Sequence, residues 1–322
     1  MPLFFMASTA ALFLSLEHRK ATEKAPIRNF FLRRLFRIAP LFYCGAAFYT
    51  LVRFEERLGQ EAPGYYSLAR LATTLSFTGG LFPAHIMSVV PGGWSILVEM
   101  QFYMFVPIFF AYTRSVRAAA ISLAGTVLLA AILRAAAFSL LSRVYPLEVV
   151  GQYVTYWLPK QMPFFVSGAL LHFALRHWQQ STARVNAVPL MATAIAIIAF
   201  TPLALCLPRL NRYAYLPLWL CFGFGVGARQ PRLLVNRITR YVGLISFSGY
   251  ITHFAILHYI ARSLPQVLAH SGIQLRGNGY CILLLVLVIV GTGAASTATY
   301  FLVEQPGRRL GARFIGFLEA RT

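Results

Sequence analysis

A polytopic all-α membrane protein is the fold class this sequence predicts, and three observations predict it. Of its 322 residues, 58% are hydrophobic and 12% charged, and the mean hydropathy is +0.64. A soluble domain carries about 25% charged residues, so a soluble enzyme and a disordered chain are both set aside. The apolar residues fall into many runs near the roughly 20 residues that cross a bilayer. The basic residues, which bring the formal net charge to +20, sit between those runs and build no basic domain. In a soluble protein that charge would point to nucleic acid. Here the positive-inside rule accounts for it, and no nucleic-acid partner is expected. One integral-membrane domain over residues 1–322 follows.

In chain order, apolar runs near 2–16, 36–53, 94–112, 119–141, 160–175, 187–206, 213–228, 241–260 and 280–302 are read as about nine spans. The stretch 68–90 is only moderately apolar and holds Gly79, Gly80, Pro83 and His85, so it is read as interfacial or re-entrant. Charge counting gives the orientation. The segments 17–37, 113–118, 176–186, 229–240 and 303–322 hold 19 Lys and Arg, whereas 53–70, 142–160, 207–212 and 261–279 hold 9. The richer side should face the cytoplasm. This puts the C-terminus inside, the N-terminus outside, and the protein in the cytoplasmic membrane. An external start that runs straight into Leu3, Phe4, Phe5 and Met6 has no basic flank and no secretory cleavage pattern. One more helix upstream, giving ten spans, is expected.

Several chemistries lose support. All nine acidic residues are Glu, which removes Asp-based metal and phosphoryl sites, and no metal is expected. Cys44, Cys206, Cys221 and Cys281 have no CxxC spacing and are read as packing residues. There is no GxSxG, HExxH, P-loop or GxGxxG. Covalent hydrolysis and nucleotide hydrolysis therefore have no signature, and no bound cofactor is expected.

Polar groups inside apolar runs need a reason, because each is costly in hydrocarbon. Arg28, Arg33, Arg34 and Arg37 lead into the second run. Arg33 and Arg37 are spaced i,i+4, and Arg34 and Arg37 i,i+3, so they can share a helix face. Pro40 follows, where it bends the helix or marks its first turn. Guanidinium groups so placed suit an anion such as a phosphate or acyl-CoA. Glu99 lies about one turn into its run, on a largely aromatic helix with Trp94, and shares a face with Tyr103. Arg134 is mid-span and needs a partner, with Glu99 or Glu304 as candidates. Glu304 closes the last run, ahead of Pro306, Arg308 and Arg309. His253 lies in an apolar helix, where a hydrogen-bonded packing role competes with that of a base. His258 is read as packing, and His85 as a weaker candidate base.

Four blocks of this chain resemble the acyltransferase 3 family, membrane enzymes that O-acylate glycans. "PLFFMASTAALFLS" (2–15) is similar to the family's second helix. "FFLRRLFRIAPLFY" (30–43) resembles its Arg-Arg-x-x-Arg-Ile-x-Pro signature, and "GGWSILVEMQFYMFVP" (92–107) its Trp-Ser…Glu-x-Gln-Phe-Tyr signature. "LISFSGYITHFAI" (244–256) and "YFLVEQPGRR" (300–309) resemble its last two helices, and "MPFFVSGALL" (162–171) matches more weakly.

The resemblance implies ten spans, an acyl-CoA donor reached from the cytoplasm, and a hydroxyl acceptor on a cell-envelope or secreted glycan or lipid-linked sugar. Acetyl, from acetyl-CoA, is the family's common case. By motif transfer Arg34 and Arg37 would bind the donor or order the cavity mouth. Glu99 and Trp94 would shape the cavity, Tyr103 would support Glu99, and Arg134, His253 and Glu304 would be cavity or structural residues. The family's general base is a histidine on its first helix. No residue here matches it, so the chain is expected to lack that helix. Two alternatives remain. One is a non-enzymatic carrier or exporter of a polar or lipid-linked metabolite, although no inverted repeat or pair of broken helices is evident. The other is an inactive truncated paralogue.

Overall fold

The computed structural model describes residues 1–20, 22–52, 66–181, 187–206, 212–273, 275 and 277–321, with side chains omitted for 201–206. No strand occurs among them. The helices are α1 (Pro2–Lys20), α2 (Pro26–Leu51), α3 (Leu68–Leu75), α4 (Trp94–Tyr112), α5 (Val116–Leu141), α6 (Leu147–Tyr156), α7 (Leu158–Gln180), α8 (Ala187–Cys206), α9 (Leu216–Arg229), α10 (Arg237–His270), α11 (Asn278–Thr299) and α12 (Gln305–Ala320). A π turn, Tyr300–Glu304, joins α11 to α12 without a break.

The described residues of the nine apolar runs fall on helices or short helical turns, but crossing a membrane asks for length and apolarity together. Trp94–Tyr112, Val116–Leu141, Arg237–His270 and the continuous Asn278–Ala320 satisfy both. Four helices, rather than nine, therefore meet the requirement among the described residues. The reasons are local. α1 ends on His18, Arg19 and Lys20. α2 begins at Pro26, ahead of its apolar run, and so carries Arg28, Arg33, Arg34 and Arg37 within the helix. α9 has 14 residues, about 21 Å at 1.5 Å per residue. Pro40 lies inside α2, so it does not mark a first turn. The stretch 68–90 forms no long helix. It breaks into α3 and two 3-10 turns, Gly79–Leu81 and Pro83–His85.

The chain divides into two compact units. The first comprises Met1–Ile27, Ser76–Ser88 and Trp94–Asn236. α7 is its hub, packed by α1, α5 and α9, while α8 pairs with α9. Small residues permit these approaches, as is usual where helices pack in a membrane. A side chain at Gly168 would strike the Met6 carbonyl and Thr9 of α1. A Cβ at Gly223 or Gly227 would come within 2.8 Å of Leu171 or Leu175 of α7. Stacked rings fill the centre: Phe165 lies 4.3 Å from Phe5 and 4.0 Å from Phe102, centroid to centroid. At one end Glu17 pairs with Arg176 and, at 3.4 Å, with His172.

The second unit comprises Arg28–Leu75, Val89–Gly93 and Arg237–Thr322. α10 lies along α11 and the π turn, with Gly249 against Ser296, and Gly291 against Ile256 and Ile260. α2 meets α10 where Gly45 faces Ile251 and the Tyr49 hydroxyl donates to the Ile251 carbonyl at 2.6 Å. α12 meets α2 through Gly307 and Gly311, one helical turn apart. A Cβ at the first would approach the Phe36 carbonyl to 2.9 Å, and at the second the Phe36 side chain to 2.6 Å. The Asn29 amide donates to Glu319 at 2.7 Å and ties the far end of the same contact.

Candidate functional site

The sequence-predicted residues fall into two groups, one in each unit. In the first unit Trp94 opens α4, and Glu99 and Tyr103 follow on successive turns. Glu99 is 5% exposed. Tyr103 donates its hydroxyl to Glu99 Oε1 at 2.6 Å, as the i,i+4 spacing predicts. Ser8 of α1 donates to the same oxygen, also at 2.6 Å. Two neutral donors thus converge on Oε1, and Oε2 takes no hydrogen bond from a described residue. Such bonds hold a carboxylate in place without neutralising it. Trp94 stands edge-on to Phe5 at 6.3 Å and 4.6 Å from Tyr156, so aromatic surface borders the carboxylate's helix. Ser8 was missed in the sequence reading. Its only signal is a hydroxyl pair, Ser8 and Thr9, inside an otherwise apolar run.

Arg134 does not pair with Glu99 or Glu304, and this corrects the expectation of a buried ion pair. Its charge acts instead on Lys160 and Tyr213. The reason is position. Arg134 is exposed on a largely exposed helix, so it needs no buried carboxylate.

In the second unit the charge of the exposed Arg37 reaches the buried Glu304 without an ion pair. Glu304 is 1% exposed. Ser248 Oγ donates to its Oε2 at 2.9 Å, and the charges of Arg37 and Arg308 act on its carboxylate. Oε1 is buried with no hydrogen-bond partner. Arg308 acts from the following helix, while Arg37 and Ser248 come from other helices. Glu304 ends the π turn, in which Gln305 N–H bonds the Tyr300 carbonyl five residues back. The extra residue in that turn re-aims Glu304 relative to a regular helix, and π turns are frequent at functional sites. Arg34 stacks its guanidinium over the Phe30 ring, 5.8 Å from the centroid.

His253 hydrogen-bonds its own helix, with Nδ1 3.1 Å from the Gly249 carbonyl and 2.8 Å from that of Tyr250. Those acceptors assign the proton to Nδ1, which makes Nε2 the basic nitrogen. The Phe254 ring lies 4.1 Å away. Next to it, the Tyr250 hydroxyl donates to the Gly92 carbonyl at 2.6 Å. Gly92 has φ +71°, and a Cβ there would meet that hydroxyl at 2.7 Å, so only glycine lets the loop before Trp94 rest on α10. His85 lies 5.9 Å from the Phe82 ring, and His258 5.4 Å from that of Tyr259. Among the described residues, no group of three His, Cys, Asp or Glu could hold a metal ion.

A family model for an acyltransferase domain matches residues 1–301, which takes in residues of both units and ends just before Glu304. The chain belongs to the acyltransferase 3 family, and with its long apolar helices it is a membrane acyltransferase in general class. Neither a curated protein nor a solved structure matches it.

Proposed function

We propose that this protein moves an acyl group, acetyl in the first instance, from acyl-CoA to a hydroxyl of a cell-envelope or secreted glycan, including a lipid-linked sugar. It would do so as an integral protein of the cytoplasmic membrane with nine spans in this chain and its C-terminus inside. The reaction breaks the thioester C–S bond and forms an ester C–O bond. The acceptor hydroxyl gives up its proton and the thiolate of CoA takes one. The observation that carries this reading is Glu99. A buried carboxylate within a membrane acyltransferase domain holds two hydroxyl donors on one oxygen and leaves the other for a ligand. Its role would be to position a hydroxyl or the cavity's polar network, beside the aromatic surface of Trp94 that suits a sugar face or an acyl chain. Arg34 and Arg37 would meet the phosphates of the donor, which guanidinium forks suit. Glu304 and His253 would be cavity or structural residues.

The test is acyl transfer from labelled acetyl-CoA in membranes that contain the full chain. Label on glycan is expected with wild type. Arg37→Ala and Glu99→Gln should each abolish it while the protein still inserts. Wild-type transfer in both variants overturns the assignments, and uptake of substrate without acylation would favour a carrier.

A further inference from the structure

Arg134, Lys160 and Arg212 gather around Tyr213 in the first unit. Lys160 Nζ stands 4.2 Å from the Tyr213 ring centroid, and the Tyr213 hydroxyl donates to the Lys160 carbonyl at 2.8 Å. The charges of Arg134 and Arg212 both act on Lys160. None of the three cations has a carboxylate partner among the described residues. Like charges so placed repel one another, and more strongly near hydrocarbon than in water. An anion would relieve that repulsion. The positive-inside rule gives no other reason for the cluster, because 142–160 and 207–212 lie on the side with fewer Lys and Arg.

An apolar groove adjoins the cluster. Phe105 of α4, Leu129, Ala130 and Leu133 of α5, and Leu158 and Pro159 of α7 line it. Arg134 lies one turn beyond Ala130 on the same face of α5, and Lys160 follows Pro159 directly. Arg134 therefore stands at one end of a slot that has no charge of its own, with Lys160 and Tyr213 within reach of its charge. A soluble anion would use the cluster and leave the slot empty. A lipid uses both.

We propose that Arg134, Lys160 and Arg212 bind the phosphate of an anionic lipid whose apolar chain lies in the groove between α4, α5 and α7. Two guanidinium forks and an ammonium supply donors for several phosphate oxygens. The Tyr213 ring beneath Lys160 keeps the ammonium at the mouth.

The test measures lipid binding by the purified full chain in detergent, so its outcome is separate from that of acyl transfer. The probes are palmitoyl-oleoyl phosphatidylglycerol, the zwitterionic phosphatidylcholine, and sodium phosphate. Phosphatidylglycerol should bind in preference to phosphatidylcholine. Arg134→Gln, Lys160→Gln and Arg212→Gln should each weaken it about fivefold, the scale for one basic residue at an anionic surface. Arg117→Gln and Arg143→Gln should change nothing, and Leu133→Trp should weaken the lipid by blocking the slot. Unchanged phosphatidylglycerol binding in the triple variant overturns the proposal. Full displacement by sodium phosphate, with no effect of Leu133→Trp, overturns the lipid assignment in favour of a free anion. If Arg134→Gln fails to fold by gel filtration, Lys160→Gln with Arg212→Gln carries the same test from the ends of their elements.

Discussion

Glu99 places both of its protein hydrogen bonds on one oxygen, and this sets what its variants should do. Glu99→Gln keeps the volume and one oxygen that can accept from Ser8 and Tyr103, but it removes the charge and turns the other oxygen into a donor, so acyl transfer should fall at least about 100-fold. Tyr103→Phe removes one donor to a charged acceptor, worth about 1.5–3 kcal/mol, so a loss of about tenfold or more is expected. Initial rates with labelled acetyl-CoA, at equal protein in the membrane, measure both. Equal rates for wild type and Glu99→Gln would remove Glu99 from the site. Arg37 and Glu304 give a second residue-scale prediction. Arg37 is exposed and reaches the buried Glu304 by its charge alone, an interaction worth at most about 1 kcal/mol, so Arg37→Ala should abolish transfer with little loss of thermal stability. Arg37→Ala with Glu304→Gln removes both charges and should recover none of the transfer. Recovery of transfer in the double variant would reduce Arg37 to a structural counter-charge.

Helices set these pairs through close approaches that single side chains do not reveal. α12 reaches α2 because Gly307 and Gly311 put bare backbone against Phe36 and Pro40. Gly307→Leu or Gly311→Leu should separate the two helices, lowering the unfolding temperature and loosening Glu304 from Arg37. Gly243→Ala, with open space around it, is the neutral control. The π turn gives a sharper prediction. Deleting Leu302 would remove the extra residue, restore a regular turn and take Glu304 off the position that the widened turn gives it. Acyl transfer should be lost while membrane insertion is retained. A deletion variant with wild-type transfer would show that the turn has no part in the site.

Across the whole molecule, length and apolarity single out four helices, whereas the apolar runs together propose nine spans. The two counts differ measurably. With four spans, Leu147 and Arg232 lie in one segment and on one side. With nine, three further spans separate them and they face opposite sides. In a cysteine-free background, Leu147→Cys should react with an impermeant maleimide from outside, and Arg232→Cys only after the membrane is opened. Labelling of both from the same side would bring the count down. Charge distribution makes the same case from another direction, since 19 basic residues fall on one side of the nine-span topology and 9 on the other.

The all-helical architecture was legible in the sequence because hydrocarbon forces every backbone donor and acceptor to pair within its own segment. Length and apolarity of a run then suffice to place a helix. The i,i+4 bond from Tyr103 to Glu99 was legible for the same reason, since helix geometry alone puts those side chains on one face. The family was legible in short blocks around Arg34, Arg37, Trp94 and Glu99, where residue types and spacing recur together. What the sequence could not show is which faces meet. Ser8 on Glu99, Ser248 and Arg37 on Glu304, and the gathering of Arg134, Lys160 and Arg212 all join residues far apart in the chain. Arg134 illustrates the difference. Its cost in an apolar run predicts that it needs an explanation, but not which one, because a long side chain can pair, stack or reach the helix end. The sequence by itself determined an all-helical membrane acyltransferase and most of its candidate residues. Only the tertiary structure decided their partners, because small residues such as Gly168, Gly307 and Gly311 set which helices approach closely enough to share a polar group.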